Sequence, residues 1–424
     1  MQRLLLKALF LVCLLPLPPA IFCQVLPFRH YGVRDGLISS TINVLYQDSR
    51  GYLWIGTYDG ISVFDGRAFT NYTTANGLAH NSVYDLIEDR TAPGTMWIGT
   101  GDGLSRFAAG LFTTYRYGST ERENAVGSLM QDHTGRIWCG IGDSLMQIDR
   151  GVLTPVRTGI EMSSVGQIVE CGDSLIWFYH TYALSVYSHR TKEFKIFHST
   201  EQYNQGYRPM CTDREGNLWV GRVSSDGSET TLWQIRGTRI VNRRTFKNNF
   251  GMNFLLDDLQ GNLWLGTYNG VYKLPKAQFV SAPLSHFTVE NGLQENTIRA
   301  GLFDNEHNLW IGGKDKGISK LSEWNIVKFP LTGVGNGNHN SVATADSNNH
   351  IWIVSEAGLW EFFRDSSSTW HEHLHDFKDM GLRKLWSIFC DANGKLWLGY
   401  VDATIEGYEI IPHAMKPSTL KPIR

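Results

Sequence analysis

Asp48-Ser49-Arg50-Gly51-Tyr52-Leu53-Trp54-Ile55-Gly56 is the phrase from which this chain is built. It returns as Asp132-His133-Thr134-Gly135-Arg136-Ile137-Trp138-Cys139-Gly140, and again over residues 213–221, 258–266 and 391–399. Its tryptophan marks nine units, at Trp54, Trp97, Trp138, Trp177, Trp219, Trp264, Trp310, Trp352 and Trp397. The mean spacing is about 43 residues, a period that belongs to propellers and solenoids. Nine of the 14 tryptophans occupy this one slot, so the repeat decides the fold.

Each unit reads as four short strands. In the first, Ile42 to Gln47 is strand A, Leu53 to Gly56 strand B, Ile61 to Phe64 strand C and Phe69 to Tyr72 strand D. Asp48 to Gly51 is the turn between A and B, where Asp bonds its own backbone and Gly supplies positive φ. Asp stands six residues before Trp in seven of the nine units. Cys171 takes its place in the fourth, and the insertion Thr91 to Gly94 moves Asp89 back in the second. Strand B is apolar–Trp–apolar throughout, which requires cover on both faces of the sheet. The glycine that follows it in seven units fits close approach of neighbouring backbones. A small four-stranded sheet covered on both faces by copies of itself is a propeller blade. The fold class predicted is therefore all-β, a β-propeller of four-stranded blades.

The ends carry a closure signal. Phe28-Arg29-His30-Tyr31 resembles the strand D segments Phe69 to Tyr72 and Phe112 to Tyr115. A lone D strand at the start of the chain completes the last blade of a ring and hides its edges. A ring of seven pairs it with the Trp310 unit and leaves two blades over; a ring of nine uses every unit. Residues 285–293 reread the opening 29–37, as though an array began afresh. The expected division is a propeller over 24–325, two further blades over 326–411, and an irregular tail over 412–424, where Pro412, Pro417 and Pro422 fall.

Residues 1–23 have the pattern of a signal peptide. Arg3 and Lys7 precede an apolar run, Ala8 to Leu17, too short to span a bilayer. Cleavage after Cys23 leaves Gln24 first; lipidation at Cys23 is the lesser reading, because bulky Phe22 precedes it. The export implied places the chain in the periplasm or outside the cell. Net charge is −2, so no basic field draws nucleic acid or anionic lipid. Cys139, Cys171, Cys211 and Cys390 fall in different units without metal-ligand spacing and read as small buried residues; a Cys171–Cys211 disulfide is the alternative.

Asp35 to Ile42, Asp48 to Thr57, Asp59 to Gly66, Asn76 to Val83 and Trp97 to Leu104 resemble the two-component regulator propeller repeat. The resemblance extends over about residues 26–410. It implies the exported sensor region of histidine kinases of Bacteroidetes-type bacteria, usually two seven-bladed rings followed by an immunoglobulin-like domain, a membrane helix and a kinase. It also favours a first ring of seven. No membrane span, phospho-acceptor box or ATP lid is legible in the sequence, so the expectation is a truncated or split sensor, with a stand-alone exported propeller as the alternative.

Ligands of propellers usually meet the end of the channel where D–A and B–C loops converge. The B–C loops supply six candidate binding residues: Tyr58, Asp59, Asp102, His180, Arg222 and Tyr268. Asp59 and Asp102 also read as plain turn formers beside Gly60 and Gly103. The other four have bulk that the turn does not require. Asn81, Asn124, Asn296 and Asn338 recur eight residues before the turn Asp and read as loop braces. The alternate histidines of Trp370-His371-Glu372-His373-Leu374-His375 lack a fourth ligand, so no metal is assigned there. Gly333 to Asn338 lacks the helix and lysine of a phosphate loop.

No nucleophile elbow, paired acids or zinc-protease helix is present, and no cofactor is expected. The reading is a non-enzymatic, extracytoplasmic sensor that binds a carbohydrate or other small ligand. It would signal through contact with a second copy or a membrane kinase. The rival readings are an adhesive scaffold and a secreted lyase or hydrolase, for which His180 with Asp143 or Asp59 is the one acid–base pairing available.

Overall fold

The computed structural model describes residues 26–322, apart from 150, 163, 173, 181–182, 200–206, 225–227 and 248–250, and within 343–422 the stretches 343–346, 348, 350–354, 358–364, 370–376, 385–391, 395–400, 402, 404–413 and 416–422. The signal segment and the 333–338 loop, with Asn338, lie outside these residues. The described residues form nine four-stranded antiparallel sheets, one per tryptophan, numbered here in chain order by that residue. Residues 26–326 make one compact unit with seven sheets; a second unit includes residues 327–424 and two sheets.

Sheet 1 consists of Ile42–Gln47, Leu53–Thr57, Ile61–Phe64 and Phe69–Tyr72, the predicted strands with B longer by one residue. Every residue of strand B is buried in sheets 1, 2, 3 and 7. Neighbouring sheets are close enough that a Cβ on Gly56 would lie 2.7 Å from Val83 of sheet 2, and one on Gly312 would lie 2.5 Å from Ile42. This is the close approach for which glycine is needed.

The turn aspartate does more than shape the turn. Asp48 Oδ1 accepts from the N–H groups of Arg50 and Tyr52, and Oδ2 accepts from Trp54 Nε1 at 3.1 Å. The same indole bond recurs at 2.7–3.3 Å in eight sheets, including Asp89–Trp97 despite the insertion. Trp177, whose sheet has Cys171 in the slot, has a buried Nε1 without a partner among the described residues. The residue before the aspartate slot bonds the preceding sheet. Gln47, Glu88, Gln131 and Glu170 accept from the backbone N–H of Asn305, Ser49, Arg90 and His133 at 2.6–2.8 Å.

Sheet 7 contains Ile298–Phe303, Leu309–Gly313 and Ile318–Leu321, and its fourth strand is Arg29–Tyr31 from the start of the chain. Arg29 pairs with Lys320, His30 with Ser319 and Tyr31 with Ile318. Tyr31 stacks on Trp310 at 5.8 Å and meets Phe64 of sheet 1 at 5.1 Å. One apolar cluster joins Tyr31, Trp310 and Ile318 to Ile42, Leu45 and Ile55, so sheet 7 packs on sheet 1. The first strand of each sheet in this unit lies against that of the next, and that of sheet 7 lies against that of sheet 1.

In the second unit, the irregular tail expected from residue 412 is corrected. Lys416–Pro422 is a strand, paired with Ile405–His413 as the outer edge of sheet 9. An edge strand has a side that needs no hydrogen bonds, and so accommodates Pro417 and Pro422. Ser418 on this strand donates its N–H to Glu361 of sheet 8, a fully buried carboxylate that also lies 2.8 Å from His350 Nδ1 and 2.9 Å from His375 Nε2. His375 is thereby committed to Glu361, and His371 stacks on Phe363 at 5.5 Å. The four cysteines among the described residues are free thiols, and burial pushes that of Cys171 up to about 11.

Candidate functional site

The B–C turns of sheets 1, 2 and 6 share one device. Thr57, Thr100 and Thr267, fully buried, donate their hydroxyls to the carbonyls of Gly60, Gly103 and Gly270 at 2.6–2.9 Å. They also accept from the N–H groups of Asp59, Asp102 and Asn269. Gly60 has φ +135 and a Cβ there would meet Tyr72 O at 2.4 Å, so the turn requires glycine. With the turn fixed by these residues, the one after threonine projects: Tyr58 is 41% exposed and Tyr268 55%.

Strand A supplies the rest. Its pairing slips by one residue at Asn43, Tyr84 and Arg299, a bulge in sheets 1, 2 and 7. A bulge leaves its extra residue unpaired and re-aims the side chain. Asn43 uses the freedom to bond Val83 O of the next sheet at 3.0 Å. Tyr84 and Arg299 instead turn to Tyr58 from either side. Arg299 Nη2 donates to the Tyr58 hydroxyl at 2.9 Å, with the guanidinium 5.2 Å from the ring centroid. Tyr84 meets the same ring edge-on at 6.5 Å. Three sheets thus bring two exposed phenol rings and a cation to one place.

The remaining predicted residues are placed differently. Asp102 accepts from Asn124 Nδ2 at 3.0 Å and pairs with Arg116 at 2.9 Å; these bonds outweigh its partial burial and hold its carboxyl below the usual range. Asp59 is exposed in its turn. His180 and Arg222 were expected in loops but lie in strand B, because Leu175–His180 and Asn217–Val223 extend further than in sheet 1. His180 is buried and bonds Ser185 at 3.0 Å; burial lowers its pKa. Asp143 accepts from Ser164 N–H at 3.0 Å. Arg222 lies over the buried Trp233 ring at 5.7 Å. Asn81, Asn124 and Asn296 each accept a loop N–H at 2.9 Å, from Thr74, Tyr117 and Val289.

Residues 36–59, which end on the Tyr58 turn, match the family model described as two component regulator propeller. The chain carries the two-component regulator propeller repeat. Its fold is similar to the extracellular domain of a putative hybrid two component system from B. thetaiotaomicron (TM-score 0.64, 19% identity, 91% of this chain and 53% of that one). It is also similar to the extracellular domain of a putative one component system from the same organism (0.58, 22%, 91% and 53%). Virginiamycin B lyase from Staphylococcus aureus shares the fold over 69% of this chain and 98% of its own (0.55, 16%). This chain spans about half the length of the two extracellular domains. No curated relative matches it. Among the described residues no helix is long and apolar enough to cross a membrane.

Proposed function

We propose that the chain is an extracytoplasmic sensing module of a two-component signalling system, taking a carbohydrate or other small ligand over Tyr58, Tyr84 and Arg299. The observation that carries this is the convergence of those three side chains from sheets 1, 2 and 7 upon the repeat-bearing turn. Exposed phenol faces stack on the C–H side of a sugar ring, and their hydroxyls bond its polar edge. Arginine has five donors in a planar fork; one goes to Tyr58 among the described residues, and the fork suits a carboxylate or hydroxyl of the ligand. The seven sheets of residues 26–321 are read as one closed ring, supported by the Arg29–Tyr31 pairing and the packing of sheet 7 on sheet 1. A bound ligand would bridge sheets 7, 1 and 2, and would signal if it favours one packing over another. The receiver is a second copy or a membrane kinase. The reading assigns no reaction to the chain.

A thermal-shift screen against neutral and acidic oligosaccharides tests this. A stabilising compound is expected whose shift disappears in Tyr58→Ala and shrinks in Arg299→Ala. A shift unaffected by both substitutions places binding elsewhere and rejects the site.

A further inference from the structure

We propose that the junction of sheets 3 and 4 is a binding site for a divalent first-row cation of the zinc type, held by His133 Nδ1, Glu170 Oε1 and His189 Nε2. His133 is in the A–B turn of sheet 3, Glu170 in strand A of sheet 4, and His189 follows strand C of sheet 4. Their ligand atoms lie within 4.8 Å of one another. The site is at the opposite end of strand B from the B–C turns, and does not depend on the sugar-binding reading.

The observation that points to an ion is His189. Its side chain is 8% exposed, yet among the described residues its buried Nε2 has no hydrogen-bond partner. It is aimed between Glu170 Oε1 and Asp132 Oδ2, 3.6 Å from each and too far to bond either. Ligands on zinc at about 2.0–2.2 Å in tetrahedral array stand roughly 3.3 Å apart, close to that spacing. His133 Nδ1 is 2.6 Å from Glu170 Oε1 and must open by less than about an ångström, which an exposed turn side chain can do. Glu170 Oε2 is occupied by the His133 N–H, so the inter-sheet bond survives while Oε1 serves the ion. The fourth position falls to water or to Asp132 Oδ2, which accepts one bond from Trp138. Coordination replaces the Nδ1–H···Oε1 hydrogen bond, and the imidazole hydrogen of His133 moves to Nε2. Burial lowers the pKa of His189, which favours the neutral ligand form.

A second junction of the same molecule shows what this corner accommodates. In sheet 6 the residue following strand C is Lys276, whose N–H bonds Gly261 O at 2.8 Å as that of His189 bonds Ser174 O. The Lys276 ammonium is 3.0 Å from Asp257 and 3.8 Å from Asp213, the register equivalents of Glu170 and Asp132. There the chain supplies the positive charge itself. Between sheets 3 and 4 the equivalent acids, Glu170 and Asp132, face the imidazole of His189 in place of an ammonium, 3.6 Å from each.

The full chain, freed of metal by chelation, would be titrated with Zn²⁺ alone and with Co²⁺ alone. One equivalent of Zn²⁺ is expected to be retained through gel filtration and to raise Tm by several degrees. Co²⁺ should give visible d–d bands of four- or five-coordinate intensity. His189→Ala should abolish both effects. His133→Ala keeps the backbone bond to Glu170, Glu170→Gln keeps an acceptor, and each should weaken binding at least about tenfold. If His189→Ala does not fold, those two variants decide. No retained ion and no Tm change, or binding equally tight in His133→Ala and Glu170→Gln, overturns the proposal.

Discussion

Asp304 satisfies several donors with one carboxylate: the N–H groups of Glu306 and Asn308, the Asn308 amide and Trp310 Nε1 at 2.8 Å. Removing it strands a buried indole N–H and two backbone donors, so Asp304→Ala should cost about 2–4 kcal/mol in chemical denaturation. Cys171→Asp supplies the acceptor that Trp177 lacks, and the expected outcome is a higher Tm than the parent chain. Asp85 behaves differently. Partly reached by solvent yet ringed by protein on an inner strand, it accepts from Leu129 and Leu86 N–H, and desolvation pushes its carboxyl up to about 7. The folded chain then holds a proton that the unfolded chain releases near 3.8, so this group makes stability fall as pH rises from about 4 to 7. Asp85→Asn should flatten that decline, seen as a smaller Tm difference between pH 5 and pH 8 than in the parent.

Strand B and its flanking glycine set how closely sheets approach. Gly56→Ala would place a methyl 2.5 Å from Val44 and 2.7 Å from Val83, and should cost about 1–3 kcal/mol by overpacking. At this scale the sequence is informative because turn, tryptophan and glycine are each required by local geometry, and the strands of sheet 1 follow from them. The cluster around Tyr58 is only half legible. Tyr58 stands out because its turn does not need it, whereas Tyr84 and Arg299 sit in strands that look regular. One signal points to Tyr84: in sheet 2 the buried residues Val83 and Leu86 are three apart rather than two, the spacing a bulge produces, whereas in sheet 7 the buried Ile298 and Ala300 keep the regular spacing of two and leave Arg299 unmarked. His133, Glu170 and His189 fall in three different elements, and only the registered sheets bring them together. His180 and Arg222 fall in strand and not in loop because strand B lengthens locally, which no turn residue announces.

At the level of the molecule, Arg29–Tyr31 is a short element with long reach. Removing residues up to Tyr31 would uncover the outer edge of Ile318–Leu321 and the Trp310 face. The shortened chain should melt at lower temperature and self-associate on a sizing column, since an uncovered strand edge templates further pairing. The His30–Ser319 bond joins positions 289 residues apart. That separation also fixes an order of events. A chain threaded out amino end first delivers this strand at the outset, while its partner emerges only after six sheets have been made. The earliest segment to arrive must therefore wait to be the last to settle, and pulse-labelled hydrogen exchange during refolding should find the amides of Ile318 to Lys320 protected after those of sheets 1 to 3.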